Sequence, residues 1–222
     1  MKREILITND GSTTIHLPDW NEQYHSKHGA IQEAYHVFIE KGLRKLSHLK
    51  SISILEMGFG TGLNCFISYL EAVSRNLSVH YHGIEAYPVK EDEIRQLNYS
   101  ESLKATKQHM IFENMHRLSW EEHHALAPNF TLIKRQQFFR EVDDVEHFDL
   151  IYFDAFGPRV QPELWTEDLF RKMFKALKPG GYLVTYSAKG SVRRAMQSVG
   201  FEVERLDGPP GKREMLRGMK HL

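Results

Sequence analysis

The sequence predicts an α/β fold, a mostly parallel sheet covered by helices on both faces. Three observations predict it. Short apolar strands alternate with helical stretches from residue 51 onward, which requires crossover connections. The first of these strands, Ile52–Met57, runs directly into a glycine loop, Gly58-Phe59-Gly60-Thr61-Gly62. A later apolar strand, 148–154, ends in an acid, Asp154. Ligands of open α/β sheets sit beyond the carboxyl ends of the strands, where both features fall.

The elements follow in order. Ile5–Thr8 and Thr13–Leu17 flank Asn9-Asp10-Gly11-Ser12, a hairpin signal. After a polar stretch, helical periodicity runs from about Ile31 to Leu46. Leu63–Val73 continues the glycine loop as a helix, Val79–Glu85 is a second strand, and Pro88 suits the first turn of another helix. Residues 99–128 read as weakly punctuated helix, with a short strand at Phe130–Ile133. Glu167–Leu177 is a helix stopped by Lys178-Pro179-Gly180-Gly181. Tyr182–Ser187 is a strand, Ser191–Val199 a helix, Gly200–Val203 opens a strand, and Arg213–Met219 is the last one. The expectation is one domain over 1–222, with residues 1–50 as an N-terminal extension of a core at 51–222.

Composition narrows the class. No apolar run approaches the roughly 20 residues that span a bilayer, and MKREILITNDG lacks a secretory apolar stretch. The single cysteine, Cys65, excludes an internal disulfide and a cysteine-built zinc site. Thirteen histidines offer no ligand spacing of the His-Glu-x-x-His kind, so no metal is expected. These points give a reduced, cytoplasmic protein without a membrane partner. The 29 basic residues balance 29 acidic ones, yet residues 171–222 hold 12 Lys/Arg against 4 Asp/Glu. That basic third is either a surface for a polyanion or a solvated face.

The loop chemistry selects among ligands. A dinucleotide fingerprint needs glycine at position 63, where this chain has Leu63, and no Gly-Lys-Ser/Thr ending is present. Glu56, just before the loop, would repel a pyrophosphate but suits a cation. S-adenosylmethionine carries an ammonium and a sulfonium and no phosphate, so it fits better than NAD or ATP. Glu85, closing the second strand, is placed to accept bonds from both ribose hydroxyls. Asp154 either caps its turn or stands beside a methyl acceptor, where it would orient an amine lone pair and take its proton. Trp165 and Phe156 either stack on a target base or close the core. Tyr24 is either a lid over the cofactor or a surface aromatic. Lys212 and Arg213, after Gly208-Pro209-Pro210-Gly211, suit phosphate contacts or a salt-bridged edge strand.

Several segments together resemble a known family. They are Glu56-Met57-Gly58-Phe59-Gly60-Thr61-Gly62-Leu63-Asn64, Asp154-Ala155-Phe156-Gly157-Pro158, Pro162-Glu163-Leu164-Trp165-Thr166, Gly211-Lys212-Arg213-Glu214-Met215-Leu216 and Gly29-Ala30-Ile31-Gln32-Glu33. They look like the MnmC methyltransferase domain of tRNA 5-methylaminomethyl-2-thiouridine biosynthesis, over almost the whole chain. The resemblance implies a Rossmann-like class I methyltransferase fold with a seven-stranded sheet and an antiparallel last strand. It implies S-adenosylmethionine as methyl donor, no metal, and methylation of the aminomethyl nitrogen on a tRNA wobble uridine. The candidate cofactor residues are Glu56, Gly58, Phe59, Gly60, Thr61, Gly62, Asn64, Glu85 and Asp154, with Asp154 also catalytic. Tyr24, Phe156, Pro158, Trp165, Lys212 and Arg213 are the candidate substrate side. Family members commonly carry Gly-Asp for the adenine amino group where this chain reads Leu132–Gln137, which leaves Gln136 as the substitute. The chain ends at Leu222 before any FAD-dependent oxidase domain, so the expectation is a stand-alone form without FAD. Its expected partners are tRNA and either a separate oxidase or the upstream wobble-uridine enzymes. Rival readings are an aminopropyltransferase-like polyamine enzyme and a non-catalytic tRNA-binding subunit.

Overall fold

The computed structural model describes residues 2–221. The chain opens on a small antiparallel sheet, β1 (Glu4–Ile7), β2 (Thr13–Leu17) and β3 (Glu22–Gln23). The predicted Asp-Gly turn joins β1 to β2, with Gly11 at φ +83° and the Asp10 carboxylate accepting from Thr8 Oγ1 and Ser12 N. The expected helix over 31–46 is broken into α1 (Ala30–Ala34), a π-helical stretch Tyr35–Glu40 and a 3₁₀ turn Leu43–Leu46. Gly42 lies at the break between the π-helical stretch and the 3₁₀ turn, where a side chain would press on the Phe38 carbonyl at 2.5 Å.

The main sheet comprises β4 (Ser51–Met57), β5 (Ser78–Ile84), β6 (His123–Ala127), β7 (Phe130–Arg135), β8 (Phe148–Phe153), β9 (Leu177–Thr185), β10 (Glu202–Asp207) and β11 (Glu214–Met219). Their order is β10-β11-β9-β8-β4-β5-β7-β6. Strands β7, β5, β4, β8 and β9 are parallel, and β11 runs antiparallel between β9 and β10, as the family resemblance implied. The sheet has eight strands and not seven. The extra one, β6, arises from the stretch expected to be helical at 99–128, which forms the short helices α4 (Tyr99–Ser102) and α5 (His109–Arg117) with a 3₁₀ turn, Thr106–Gln108, between them. It folds back on β7 as an antiparallel edge, and its side chains are exposed or half-buried. That leaves no apolar alternation for a sequence reading to detect.

A second correction concerns Lys178-Pro179-Gly180-Gly181, which lies inside β9 while the helix before it, α6 (Glu167–Ala176), ends one residue earlier than expected. These four residues oppose Asp149 alone on β8, between the pairs Phe148↔Leu177 and Leu150↔Tyr182. They form a bulge that tolerates proline because the ladder is already interrupted there. Asp149 holds it, accepting from Lys178 Nζ at 2.9 and 3.0 Å and from Ser53 N at 2.8 Å.

Helices α2 (Leu63–Arg75), α3 (Glu91–Ile94) and α7 (Gly190–Ser198) complete the layers. Side chains alternate between the two faces of a strand, and two buried clusters result. Ile52 and Ile54 of β4, Tyr81 of β5 and Tyr152 of β8 pack toward α2, with Phe66 and Val37. Leu55, Met57, Ile84 and Phe153 pack the other way, against α6 and α7. Counting on by twos places Glu56, Glu85 and Asp154 on the α2 side at the carboxyl ends of three adjacent strands. The period-two repeat thus brings the three acids together.

Candidate active site

A cleft of about 1100 Å³ opens at those strand ends. Its floor is the glycine loop between β4 and α2. Gly58 has φ +100° and lies so close to β8 that a Cβ would stand 2.6 Å from the Asp154 carbonyl oxygen. Gly60 has φ +47°, and a Cβ there would meet the Tyr24 ring at 3.0 Å. Both need glycine for these two reasons together. The loop is also tethered from behind. Thr61 Oγ1 accepts from Tyr99 Oη at 3.1 Å, and the Thr61 carbonyl accepts from His116 Nε2 at 3.1 Å. Burial, and then the nearby Lys134 charge, push the His116 imidazole down to about 3, so it is the neutral donor. Lys134 Nζ in turn donates to the His116 carbonyl at 2.7 Å, and burial brings its ammonium down to about 8.

The three acids play different parts. Asp154 lines the cleft directly, and its Oδ2 accepts from Asn64 Nδ2 at 2.8 Å. The same Asn64 nitrogen donates its second proton to Glu56 Oε1 at 2.9 Å. Glu56 is fully buried and faces Asn64, and it does not line the cleft, against the expected direct contact with a ligand. Burial pushes its carboxyl well above the ordinary range, helped by the Asp154 charge and opposed by the Asn64 hydrogen bond. The Asp154 carboxyl is pushed up to about 7 by burial and then by Glu33, against the Asn64 hydrogen bond and the Lys212 charge. Glu85 also lines the cleft, accepting from Gly60 N at 3.0 Å and Tyr87 N at 2.8 Å. Burial raises its carboxyl although both N–H groups and Arg3 pull the other way.

Aromatic side chains form the mouth. Tyr24 and Phe156 meet edge to face at 5.1 Å, and Trp20 meets Phe156 at 5.7 Å. Phe59, Gly58, Thr61 and Gln136 line the cleft, while Gly62 does not; its α-carbon faces the His116 ring. Trp165 is corrected from a substrate-facing residue to a core one. It is 6% exposed, packs 5.0 Å from Phe153, and donates from Nε1 to the Phe156 carbonyl at 2.8 Å. It therefore fixes Phe156 from beneath. Pro158 is half-buried outside the cleft lining. Lys212 is ion-paired with the buried Glu33 and lies over the Tyr186 ring, which takes it out of the free cations. Arg213 is exposed and has no ion pair among the described residues. Trp20, Tyr186, His116 and Phe138 are not singled out by the sequence. Tyr186 lies near the end of a predicted strand, Tyr182–Ser187, at the same edge as Asp154 and is detectable on that ground; His116 lies in the segment whose strand the sequence pattern hides.

The cleft suits a cation-bearing nucleoside ligand. It offers the carboxylates of Glu85 and Asp154 at the strand ends, with Glu93, Glu163 and Asp168 elsewhere in its lining, and a glycine loop without a lysine; Asn64 Oδ1 is a buried acceptor with no partner among the described residues. An ammonium would supply the missing donor, and a buried acceptor is costly to leave unpaired. Among the described residues no group of three or more His, Cys, Asp or Glu side chains is arranged to hold a metal ion.

Comparison with known proteins agrees with this chemistry. The tRNA 5-methylaminomethyl-2-thiouridine biosynthesis bifunctional protein MnmC of Burkholderia multivorans is 29% identical, over 96% of this chain and 34% of its own length. That of Delftia acidovorans is 30% identical, over 93% of this chain and 33% of its own. The chain thus spans about a third of the length of the curated relatives it matches. Among solved structures, MNMC2 from Aquifex aeolicus superposes with a TM-score of 0.79 at 29% identity, covering 98% of this chain and 70% of that one. Spermidine synthase from Thermotoga maritima superposes at 0.61 with 15% identity, over 98% and 68%, a likeness of fold alone. Residues 97–221 match the profile of one family over more than half of the chain. The chain belongs to that family, the S-adenosyl-L-methionine-dependent methyltransferases.

Proposed function

We propose that this protein methylates the aminomethyl nitrogen of 5-aminomethyl-(2-thio)uridine at the tRNA wobble position, giving the 5-methylaminomethyl nucleoside. The observation that carries the reading is Asp154, a cleft carboxylate with a midpoint near neutrality, held by Asn64 beside an aromatic mouth. S-adenosylmethionine would supply an electrophilic methyl group from a sulfonium, whose S–CH3 bond breaks to leave a neutral thioether. Gly58 and Gly60 would let the loop backbone approach it, Glu85 would accept from the ribose hydroxyls, and Asn64 Oδ1 would accept from the ammonium. Gln136 stands where an adenine contact is needed. Asp154 accepts an N–H of the acceptor amine, aims its lone pair, and takes the proton released once nitrogen is methylated. Phe156 and Tyr24 offer ring faces to the extruded base. Residues 51–222 supply the catalytic core, and 1–50 add Tyr24 and Glu33.

The test is mass spectrometry of wobble nucleosides from a deletion strain, with purified protein added back to the tRNA. Loss of methylaminomethyl-uridine and accumulation of aminomethyl-uridine supports the reading. Methylation that requires no tRNA, or product formed from putrescine and decarboxylated S-adenosylmethionine, sinks it. A tRNA substrate places the work in the cytoplasm. It also requires an enzyme that supplies the aminomethyl group, either a separate FAD-dependent oxidase or the earlier wobble-uridine enzymes.

Two further outcomes are expected. His116→Phe keeps the ring but leaves the Thr61 carbonyl without its donor, at about 1 kcal/mol for a lost hydrogen bond. Calorimetry should show S-adenosylmethionine affinity falling a few-fold while turnover at saturation is unchanged; a turnover loss instead would place His116 in the chemistry. The second concerns tRNA. The β10–β11 turn and the start of α7 share the carboxyl edge with Asp154, since Leu216 of β11 pairs with Thr185 of β9. Lys189, Arg194 and Arg213 are exposed there without ion pairs among the described residues. Replacing the three by Ala should weaken all tRNAs alike. It should also flatten the slope of log affinity against log salt by roughly 0.7–0.9 for each phosphate that is no longer neutralised. An unchanged slope would return this rim to a solvated face.

A further inference from the structure

Glu33 and Lys212 come from opposite ends of the chain and meet against Tyr186, whose hydroxyl is bonded to the residue after Asp154. Glu33, on α1, has a side chain only 7% exposed, and a buried carboxylate is costly unless paired. Its Oε2 accepts from Ser26 N at 2.7 Å, and its Oε1 takes the Lys212 ammonium. Lys212 is held in place by its own turn: its N–H donates to the Pro209 carbonyl at 2.9 Å, and Gly208 N–H donates to the Arg213 carbonyl at 3.1 Å. Its Nζ lies 3.8 Å from the centre of the Tyr186 ring. Tyr186 Oη donates to the carbonyl of Ala155, the residue after Asp154, at 2.8 Å. One aromatic ring therefore separates the ammonium from the backbone that carries the catalytic carboxyl.

We propose that Glu33 and Lys212 are positioning residues that set the readiness of Asp154 to take a proton, Glu33 raising it and Lys212 lowering it. The proposal rests on the reading that Asp154 receives the proton of an acceptor amine. An unbalanced Glu33 would hold Asp154 protonated, and a carboxylic acid cannot accept from the amine. An unbalanced Lys212 would hold it ionised but make it a weak base. Each charge offsets the other at Asp154, so that neither alone moves the carboxyl midpoint away from the working pH, where general bases are most effective. The other ionisable groups around Asp154 and Tyr186 do not supply this balance. Burial behind Asn64 raises the Glu56 carboxyl well above its ordinary value, burial likewise raises the Tyr186 phenol, and Glu22 of β3 is paired with Arg159 at 3.3 Å.

The experiment is a ¹³C NMR titration of the Asp154 carboxyl in the ligand-free protein, assigned by its loss in Asp154→Asn. Glu33→Gln should lower the midpoint and Lys212→Met should raise it, each by about one pH unit, the low end for a single neighbouring charge. Lys212→Arg should leave it near the wild type. The double variant Glu33→Gln/Lys212→Met buries no lone charge, and its midpoint should return toward the wild type. If Lys212→Met does not fold, the difference between Glu33→Gln and the double variant reads the Lys212 effect instead. The acid limb of kcat/KM with aminomethyl-uridine tRNA should move in parallel. Midpoints that stay put, or that move the same way in both single variants, overturn the proposal and leave the pair as a brace between the turn and α1. Opposed shifts in a protein that does not methylate tRNA would sink the substrate reading and leave this charge balance standing. Methylation with unmoved midpoints would do the reverse.

Discussion

Asp154→Asn is expected to lower turnover on the order of 10²–10⁴-fold, the range for loss of a positioned general base, while S-adenosylmethionine still binds. Asparagine keeps the shape and one acceptor oxygen for Asn64 Nδ2, so the link from α2 survives. What disappears is the group that takes the amine proton. The pH dependence follows from the raised carboxyl. With Asp154 at about 7, the wild-type rate should fall as pH drops through that value, because the protonated acid no longer accepts. In the variant this limb should vanish, leaving only the titration of the substrate amine. Stability gives the control. A carboxyl whose folded-state midpoint lies above its unfolded value resists ionisation when folded, so it costs stability as pH rises through that interval. Above pH 7 the neutral variant should therefore melt no lower than the wild type, and lost turnover cannot be lost fold. Calorimetry and saturation kinetics separate the outcomes. Lost S-adenosylmethionine binding with unchanged turnover at saturation would make Asp154 a cofactor ligand only, and full activity would reduce it to a turn cap.

Gly60→Val is expected to abolish S-adenosylmethionine binding in a protein that still folds. At φ +47° an L side chain costs roughly 1–2 kcal/mol, and a β-branched one has few rotamers to escape into. Its Cβ would also sit 3.0 Å from the Tyr24 ring, which must then leave Phe156. Displacement of Gly60 N–H would further release the Glu85 carboxylate it holds at 3.0 Å. These effects fall on one ligand surface, so affinity should drop by roughly a hundredfold or more, at 1.4 kcal/mol per tenfold. The buried clusters on either side of the sheet are untouched, so circular dichroism should be native. Gly60→Ala should be intermediate. Wild-type affinity in the valine variant would remove the loop from the site.

The sequence by itself determined the parallel sheet, the place of the glycine loop, and the three acids at strand ends. The reason is local: a strand of period two states which residues share a face, and a glycine run after a strand states where backbone must come close. Ile54 to Glu56, Tyr81 to Glu85 and Tyr152 to Asp154 are each readable on one line of text. Strand β6 is not readable, because an edge strand with half-exposed side chains carries no apolar alternation. The bulge in β9 reads as the end of a helix, since Pro and Gly mark both a turn and an interrupted ladder. Only the tertiary structure decided which acid reaches the cleft. Glu56 and Asp154 share a face, but the first is fully buried and the second lines the cleft, and Asn64 of α2 bridges the two. Only it could separate Lys212 from Arg213, neighbours of like charge, because the partner of Lys212 is a buried carboxylate 179 residues away. Depth and long-range pairing depend on how elements pack against one another, and no periodicity along the chain records that.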